Sequence, residues 1–329
     1  MNDRPRARIA GIGAAVPARV VTNDDLSKVL DTSDEWITSR TGIRERRYAS
    51  DEETLTVLAD RASREAMARA GIGPEAIDAI LVGTVSADYR MPSQACYLQA
   101  VLGATNASAV DLSAACSGFV YAMAMGEAMI AAGQARTVLV VGGERLTRIT
   151  DMEDRNTAVL FGDGCGAAVL VPATDGRGIL STFLRADGSL TELLCIPGGG
   201  GVRPPSAEML ADRSGFMKMA GREVFKAAVT CMAQACDEAL RRAGTTADAI
   251  DLLVPHQANV RIIEALAKHA GMPLEKVMVN VDRYGNTSAA SIPLALHQAE
   301  AEGRLRPGTL ALLVAFGGGF TWGSAVVRW

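Results

Sequence analysis

One stretch of this chain is written twice. Residues 68–82 read ARAGIGPEAIDAILV, and residues 241–254 read RRAGTTADAIDLLV. Each has the pattern of a helix end with a glycine C-cap, a short loop and a buried strand. The echo continues about 170 residues apart. Val110-Asp111 leads into SAACSGFVYAMAMGEAMIAAG, and Val281-Asp282 leads into NTSAASIPLALHQAEAEG. TVLVVGGE (137–144) is answered by TLALLVAFGGG (309–319). A unit this long is not a solenoid repeat and points to gene duplication. The expected organisation is two similar halves, 1–175 and 176–329, packed about a pseudo-two-fold axis.

The runs AILVGTV, TVLVVGG, AAVLV, DLLVP and ALLVAF are nearly all apolar. Such strands belong in sheets covered by helices on both faces, an α/β arrangement. Amphipathic helices are expected at 53–70, 222–243 and 259–270, and 196–218 has the most loop-like composition. Aromatic residues make up only 5% of the chain, so the core must be aliphatic. A net charge of −4 argues against a nucleic-acid surface, which needs a concentrated basic face. The apolar part of the N-terminal segment is Gly-rich and broken by Pro17 and Arg19, unlike a signal peptide. No apolar run is long enough to span a membrane. The six cysteines show no C-x-x-C spacing, so zinc and dithiol motifs are absent and a reducing cytoplasm is expected.

Cys116 lies in DLSAACSGF, at the start of an almost uncharged helix that can only be central. A buried cysteine is usually a small hydrophobe. Here Gly118 and small neighbours leave room beside the sulfur, and the helix N-terminus favours a thiolate. Of three histidines, His269 and His297 fall on amphipathic helices beside polar residues and read as surface positions. His256, in LLVPHQAN, follows a buried strand, where α/β proteins hold site residues. Asn286, in RYGNTSAAS, has the local character of an N-cap. Its helix is nevertheless the duplicate of the one bearing Cys116. Facing N-termini would bring nucleophile, imidazole and amide together. Gly317–Gly319 lack the G-K-[ST] ending of a P-loop but suit an oxyanion hole of backbone N–H groups. Gly11–Gly13 lack the third glycine of a dinucleotide fingerprint.

Taken together, TSDEWITSRTGIRERR (32–47), AACSGF (114–119), FGDGCGAAVL (161–170), VPHQANVRII (254–263), RYGNTSAAS (283–291) and FGGGFTWGSAVVRW (316–329) resemble the β-ketoacyl-acyl-carrier-protein synthases III. The resemblance implies a thiolase-like fold, with duplicated halves in a five-layered αβαβα arrangement, and a homodimer. It implies that Cys116 takes an acyl group from acyl-CoA and that malonyl on acyl carrier protein then loses CO₂ and attacks it. His256 and Asn286 would donate to the enolate oxygen, and the N–H groups of Cys116 and Gly318 would hold the acyl-transfer oxyanion. No metal or redox cofactor is implied. Trp36, Arg40 and Arg155 would bracket the CoA adenine and phosphates. Thr41, Gly221, Phe225, Asn259 and Arg261 would line the pantetheine tunnel. Lys218, Arg222, Lys226, Gln257 and Arg261 would dock the acidic carrier. Phe161 and Leu194 would wall the acyl pocket, joined across the dimer by Met91, which stands where well-known members carry Phe. Met fills irregular space, so starters beyond acetyl are expected.

Three other readings compete. A secondary-metabolism relative with another acceptor keeps the fold and changes the reaction. A thiolase proper would carry a second Cys and a His near the C-terminal glycine turn, and that stretch has neither. A non-catalytic scaffold would be marked by loss of the cysteine, and Cys116 is present.

Overall fold

The duplicated helix ends are built alike in the computed structural model, which describes residues 7–329. Gly71 and Gly244 each take a left-handed conformation, φ 69° and 64°, that closes the preceding helix. Only glycine does this without a Cβ penalty. A one-turn 3-10 segment follows each, and then a buried strand.

The first half comprises β1 (Ala7–Ala15), α1 (Leu55–Ala70), β2 (Ala79–Gly83), α2 (Gln94–Leu102), β3 (Ser108–Leu112), α3 (Gly118–Ala131), β4 (Val138–Arg145) and β5 (Asp163–Pro172). The second comprises β6 (Gly178–Ala186), α4 (Gly221–Ala243), β7 (Leu252–Pro255), α5 (Val260–His269), α6 (Ser291–Ala301), β8 (Leu310–Gly317) and β9 (Thr321–Arg328). The sheet orders are β1-β5-β4-β2-β3 and β6-β9-β8-β7. In each, the first two pairings are antiparallel and the rest parallel. The second sheet has no full counterpart of β3; a parallel bridge from Leu253 to Val277 stands in that place.

Strand periodicity sorts side chains into layers. Val138 and Val140 of β4 face the centre, while Leu139 and Val141 face outward. On β8, Ala311, Leu313 and Ala315 face the centre, and Leu310, Leu312, Val314 and Phe316 face outward. The central layer is the pair of small-residue helices α3 and α6, which contribute Phe119, Val120, Met123, Ile292, Ala295 and Leu296 to one cluster between the sheets. α1 and α2 cover the outer face of the first sheet, and α4 and α5 that of the second. The result is the five-layered αβαβα sandwich. Burying each large aliphatic side chain in these layers contributes about 1.5–3 kcal/mol. The helices expected at 53–70, 222–243 and 259–270 form with ends shifted by no more than two residues. The 196–218 stretch is mostly irregular, with one short helix, Ala207–Ala211.

Glycines let the central helix come close. A Cβ on Gly83, at the end of β2, would lie 2.5 Å from the carbonyl carbon of Gly118. Backbone therefore touches backbone where α3 begins. Among the described residues, no helix is long and apolar enough to cross a membrane.

Candidate active site

Cys116 sits on a single 3-10 turn, Ala115–Ser117, ahead of α3. Its duplicate, Ser288–Ala290, precedes α6. Both turns begin with a non-glycine residue at positive φ, Ala115 at 45° and Ser288 at 48°. Such strain persists only where the surroundings impose it. They do so reciprocally. The Cys116 turn is held by the second half: the Thr321 hydroxyl donates to Ala114 O at 2.8 Å, and the Ser117 hydroxyl donates to Thr321 O at 3.0 Å. A Cβ on Gly317 would lie 2.5 Å from the Cys116 nitrogen. The Asn286–Ser288 segment is held by the first half. Asn286 N donates to Leu160 O at 2.8 Å, and Gly162 N donates to Asn286 O at 3.0 Å. A Cβ on Gly142 would lie 2.3 Å from Ala289 O.

The two turns meet on one cavity of about 460 Å³, to which Cys116, His256, Asn286 and Gly318 all contribute. Burial drives the His256 imidazole down to about 3, so it is neutral at physiological pH. Its Nδ1 lies 2.7 Å from the hydroxyl of Ser291, itself buried. That hydroxyl has no other partner among the described residues, so it donates to Nδ1 and leaves the ring proton on Nε2. Asn286 Oδ1 accepts the Ser288 N–H at 2.9 Å, which leaves Nδ2 as the unengaged donor end. The cavity thus holds a thiol and two neutral donors. This arrangement suits charge that develops on an oxygen.

At rest, burial works against the expected thiolate. Burial pushes the Cys116 thiol up to about 12; a Ser288 hydrogen bond works against the rise, and the nearby Glu144 carboxylate adds to it. Desolvation is the largest of these contributions.

Phe161 and Leu194 line the cavity with Leu146, Ile149 and Met217. Gly221, Phe225 and Asn259 stand on its wall. Trp36, Arg40 and Arg155 lie outside it as a cluster, the guanidinium carbons of Arg40 and Arg155 4.5 Å and 5.2 Å from the indole centroid. Asn259 Nδ2 donates to Arg40 O at 3.1 Å and ties that cluster to the cavity wall. Arg261 covers the Phe225 ring from outside, 5.5 Å from its centroid. Arg222 and Lys226 are exposed on α4.

Several expectations need correction. Thr41 is buried, its hydroxyl donating to Ile37 O at 2.7 Å and accepting from Ile43 N at 3.0 Å, so it secures a helix end and does not line the cavity. Gln257 is 1% exposed and spends its amide on Pro255 O, Met278 O and the N–H groups of Asn280 and Val281, so it cannot contact a docking partner. Lys218 pairs with Asp151 at 3.7 Å, which offsets its charge in any basic patch. Met91, 85% exposed, stands outside its own protomer's cavity, as a residue that reaches a partner would. His297 is half-buried against Glu65 rather than a free surface residue.

Three polar residues of the site went unread in the sequence: Ser291, Ser288 and Glu144. The buried Glu144 carboxylate accepts from Ser288 Oγ at 3.0 Å, Thr84 Oγ1 at 3.1 Å, Val85 N at 3.1 Å and the Ser86 hydroxyl. Its only signal was a charged residue closing the apolar run VLVVGGE.

Family profiles described as 3-oxoacyl-(acyl-carrier-protein) synthase III and as the C-terminal part of that enzyme match residues 110–188 and 240–329. The β-ketoacyl-(acyl-carrier-protein) synthase III of Xanthomonas campestris pv. campestris is 53% identical over 329 residues, covering 100% of both chains. The chain belongs to the β-ketoacyl-acyl-carrier-protein synthase III family. It is therefore an acyl-transferring condensing enzyme with a thiolase-like fold. The crystal structure of the Aquifex aeolicus VF5 synthase III superposes with a TM-score of 0.92 at 48% identity, covering 98% of this chain and 100% of that one. The priming β-ketosynthase of the R1128 polyketide pathway superposes with a TM-score of 0.91 at 36% identity, covering 99% and 97%.

Proposed function

We propose that this synthase starts fatty-acid chains by loading an acyl group from acyl-CoA onto Cys116 and condensing it with malonyl-acyl carrier protein. The observation that carries this is the convergence of Cys116, His256 and Asn286 on one cavity, with two unengaged neutral donors. Cys116 attacks the thioester carbonyl, CoA leaves, and the acyl-cysteine remains activated towards carbon. Malonyl thioester then enters. His256 Nε2–H and Asn286 Nδ2–H receive the negative charge that decarboxylation delivers to its carbonyl oxygen. The enolate carbon attacks the acyl-cysteine, with the Cys116 and Gly318 N–H groups opposite the new oxyanion. This chemistry asks for no metal or organic redox cofactor. Trp36 with the two guanidiniums beside its ring suits an adenine and its phosphates. Phe225 and Asn259 then lie along the pantetheine path.

The working form is a homodimer, in the cytoplasm. β3 is an edge strand with Val110 48% exposed, and nearby Tyr89, stacked on Tyr97, and Met91 are also exposed. A second copy of the chain is the natural cover for this edge. It would carry the partner's Met91 towards Phe161 and Leu194.

Mass analysis after mixing with acetyl-CoA tests the central step. We expect one acyl adduct, absent from Cys116→Ala; no adduct with any acyl-CoA would overturn the proposal. The likeness to a polyketide priming synthase favours one second reading, a role in secondary metabolism. Preference for malonyl-CoA over malonyl-carrier would support that reading instead.

A further inference from the structure

A carboxylate is buried beside the nucleophile with no cation to balance it. Among the described residues, Glu144 has no ion pair. Arg145 follows it in β4, but that guanidinium donates to Ser50 O at 2.7 Å and lies 4.0 Å from Asp88. Asp163, opposite Arg145 in β5, is engaged by Thr147 and the Ala49 N–H. The titratable groups that do face Glu144 are thiols, Cys116 and Cys165. A structural acceptor for the Thr84–Ser86 loop does not need a charge, and an uncompensated buried carboxylate is costly.

Ser288 joins the two. It lines the cavity with Cys116, works against the upward push of burial on that thiol, and donates its hydroxyl to Glu144 Oε1 at 3.0 Å. It is aimed there by the left-handed turn, φ 48°. His256 cannot serve as the proton acceptor, because Ser291 occupies Nδ1 and Nε2 carries the ring proton.

We propose that Ser288 and Glu144 form a proton relay that unmasks the Cys116 thiolate for acyl transfer and restores the thiol after condensation. This deepens the proposed function and rests on Cys116 being the acyl carrier. In loading, the Sγ–H bond breaks and its proton joins Ser288 Oγ, whose own proton passes to Glu144 Oε1. The thiolate attacks the acyl carbonyl and CoA departs as its thiolate, which takes a proton from water. Glu144 stays neutral while the acyl-cysteine waits, so the malonyl carboxylate meets no buried negative charge. After the enolate attacks, Cys116 leaves as thiolate and recovers the proton from Glu144 through Ser288. Burial holds the Glu144 carboxyl up at about 7, in the range where it can accept and return a proton at physiological pH.

Single-turnover acylation by acetyl-CoA, read by mass across pH, tests the relay. Ser288→Gly suits a positive φ and removes the hydroxyl together with its Cβ; Glu144→Gln removes the base. We expect each to acylate about a hundredfold more slowly at neutral pH, with KM for acetyl-CoA within about twofold. The deficit should shrink as pH rises and the thiol ionises directly. An unchanged Ser288→Gly profile, or a loss equal at every pH, would overturn the relay. Absence of any adduct on the unsubstituted protein would instead sink the acyl-carrier reading.

Discussion

With Ser291 donating to Nδ1, His256 presents Nε2–H to the cavity, and loss of that hydroxyl frees the ring to rotate or change tautomer. We expect Ser291→Ala to lower the condensation kcat about tenfold while acylation by acetyl-CoA stays near the parent rate; separate assays of the two half-reactions check this. The same imidazole affects stability. An unfolded chain binds a proton near His256's ordinary 6.5, whereas the folded site refuses it until about 3. Its contribution is therefore intact above pH 6.5 and is lost as pH falls towards 3, by a few kcal/mol. Glu144 acts oppositely. Its carboxyl moves up from 4.5 to about 7, so the folded state takes the proton first and gains stability as pH falls through that window. Melting curves across mildly acid pH should show a flatter acid limb in His256→Gln and a steeper one in Glu144→Gln. Cys116, His256 and Asn286 were legible because local pattern and duplication single them out. Ser288 and Glu144 were not, since their bond joins residues 144 positions apart.

At the scale of elements, the approach of α3 to β2 is set by missing side chains. Gly83→Ala would force a Cβ to within 2.5 Å of the Gly118 backbone. We expect a loss of about 2–3 kcal/mol in denaturant unfolding, with slower acylation because Cys116 moves with its helix. The motif TSDEWITSRTGIRERR divides into two jobs. Arg40 is exposed and Trp36 half-buried, whereas Arg46 is fully buried and donates to Asn23 Oδ1 at 2.8 Å and Val159 O at 2.6 Å. Arg46→Leu strands those acceptors and should cost about 3 kcal/mol. Helix ends were readable from glycine caps and apolar spacing. Linear order could not show that Thr41 and Gln257 turn inward, because which face of a segment is covered depends on elements far along the chain.

For the whole molecule, the expected partners test its outer surfaces. If two copies pair through the β3 edge as proposed, Val110→Lys should convert a dimer to a monomer in sedimentation and reduce condensation; a monomeric parent protein would overturn that pairing. Reversing Lys226 and Arg261 to Glu should raise KM for the carrier-bound substrate several-fold. Equal use of the carrier by the reversed variant would count against that docking face. The duplication in the sequence anticipated the twin sheets and the central helix pair; the shortening of the second sheet to a single bridge at Val277 left no trace in composition.

Each reactive turn is clamped by the opposite half, and this limits how the gene can change. The second turn has Ala289 where the first has Cys116, so that turn presents no thiol. The first half alone would lose Thr321 and Gly317, the anchors of its cysteine. Neither half can be inherited without the other. Made as two polypeptides, they should be inert apart and regain acylation only when mixed, a complementation within what began as one copied unit.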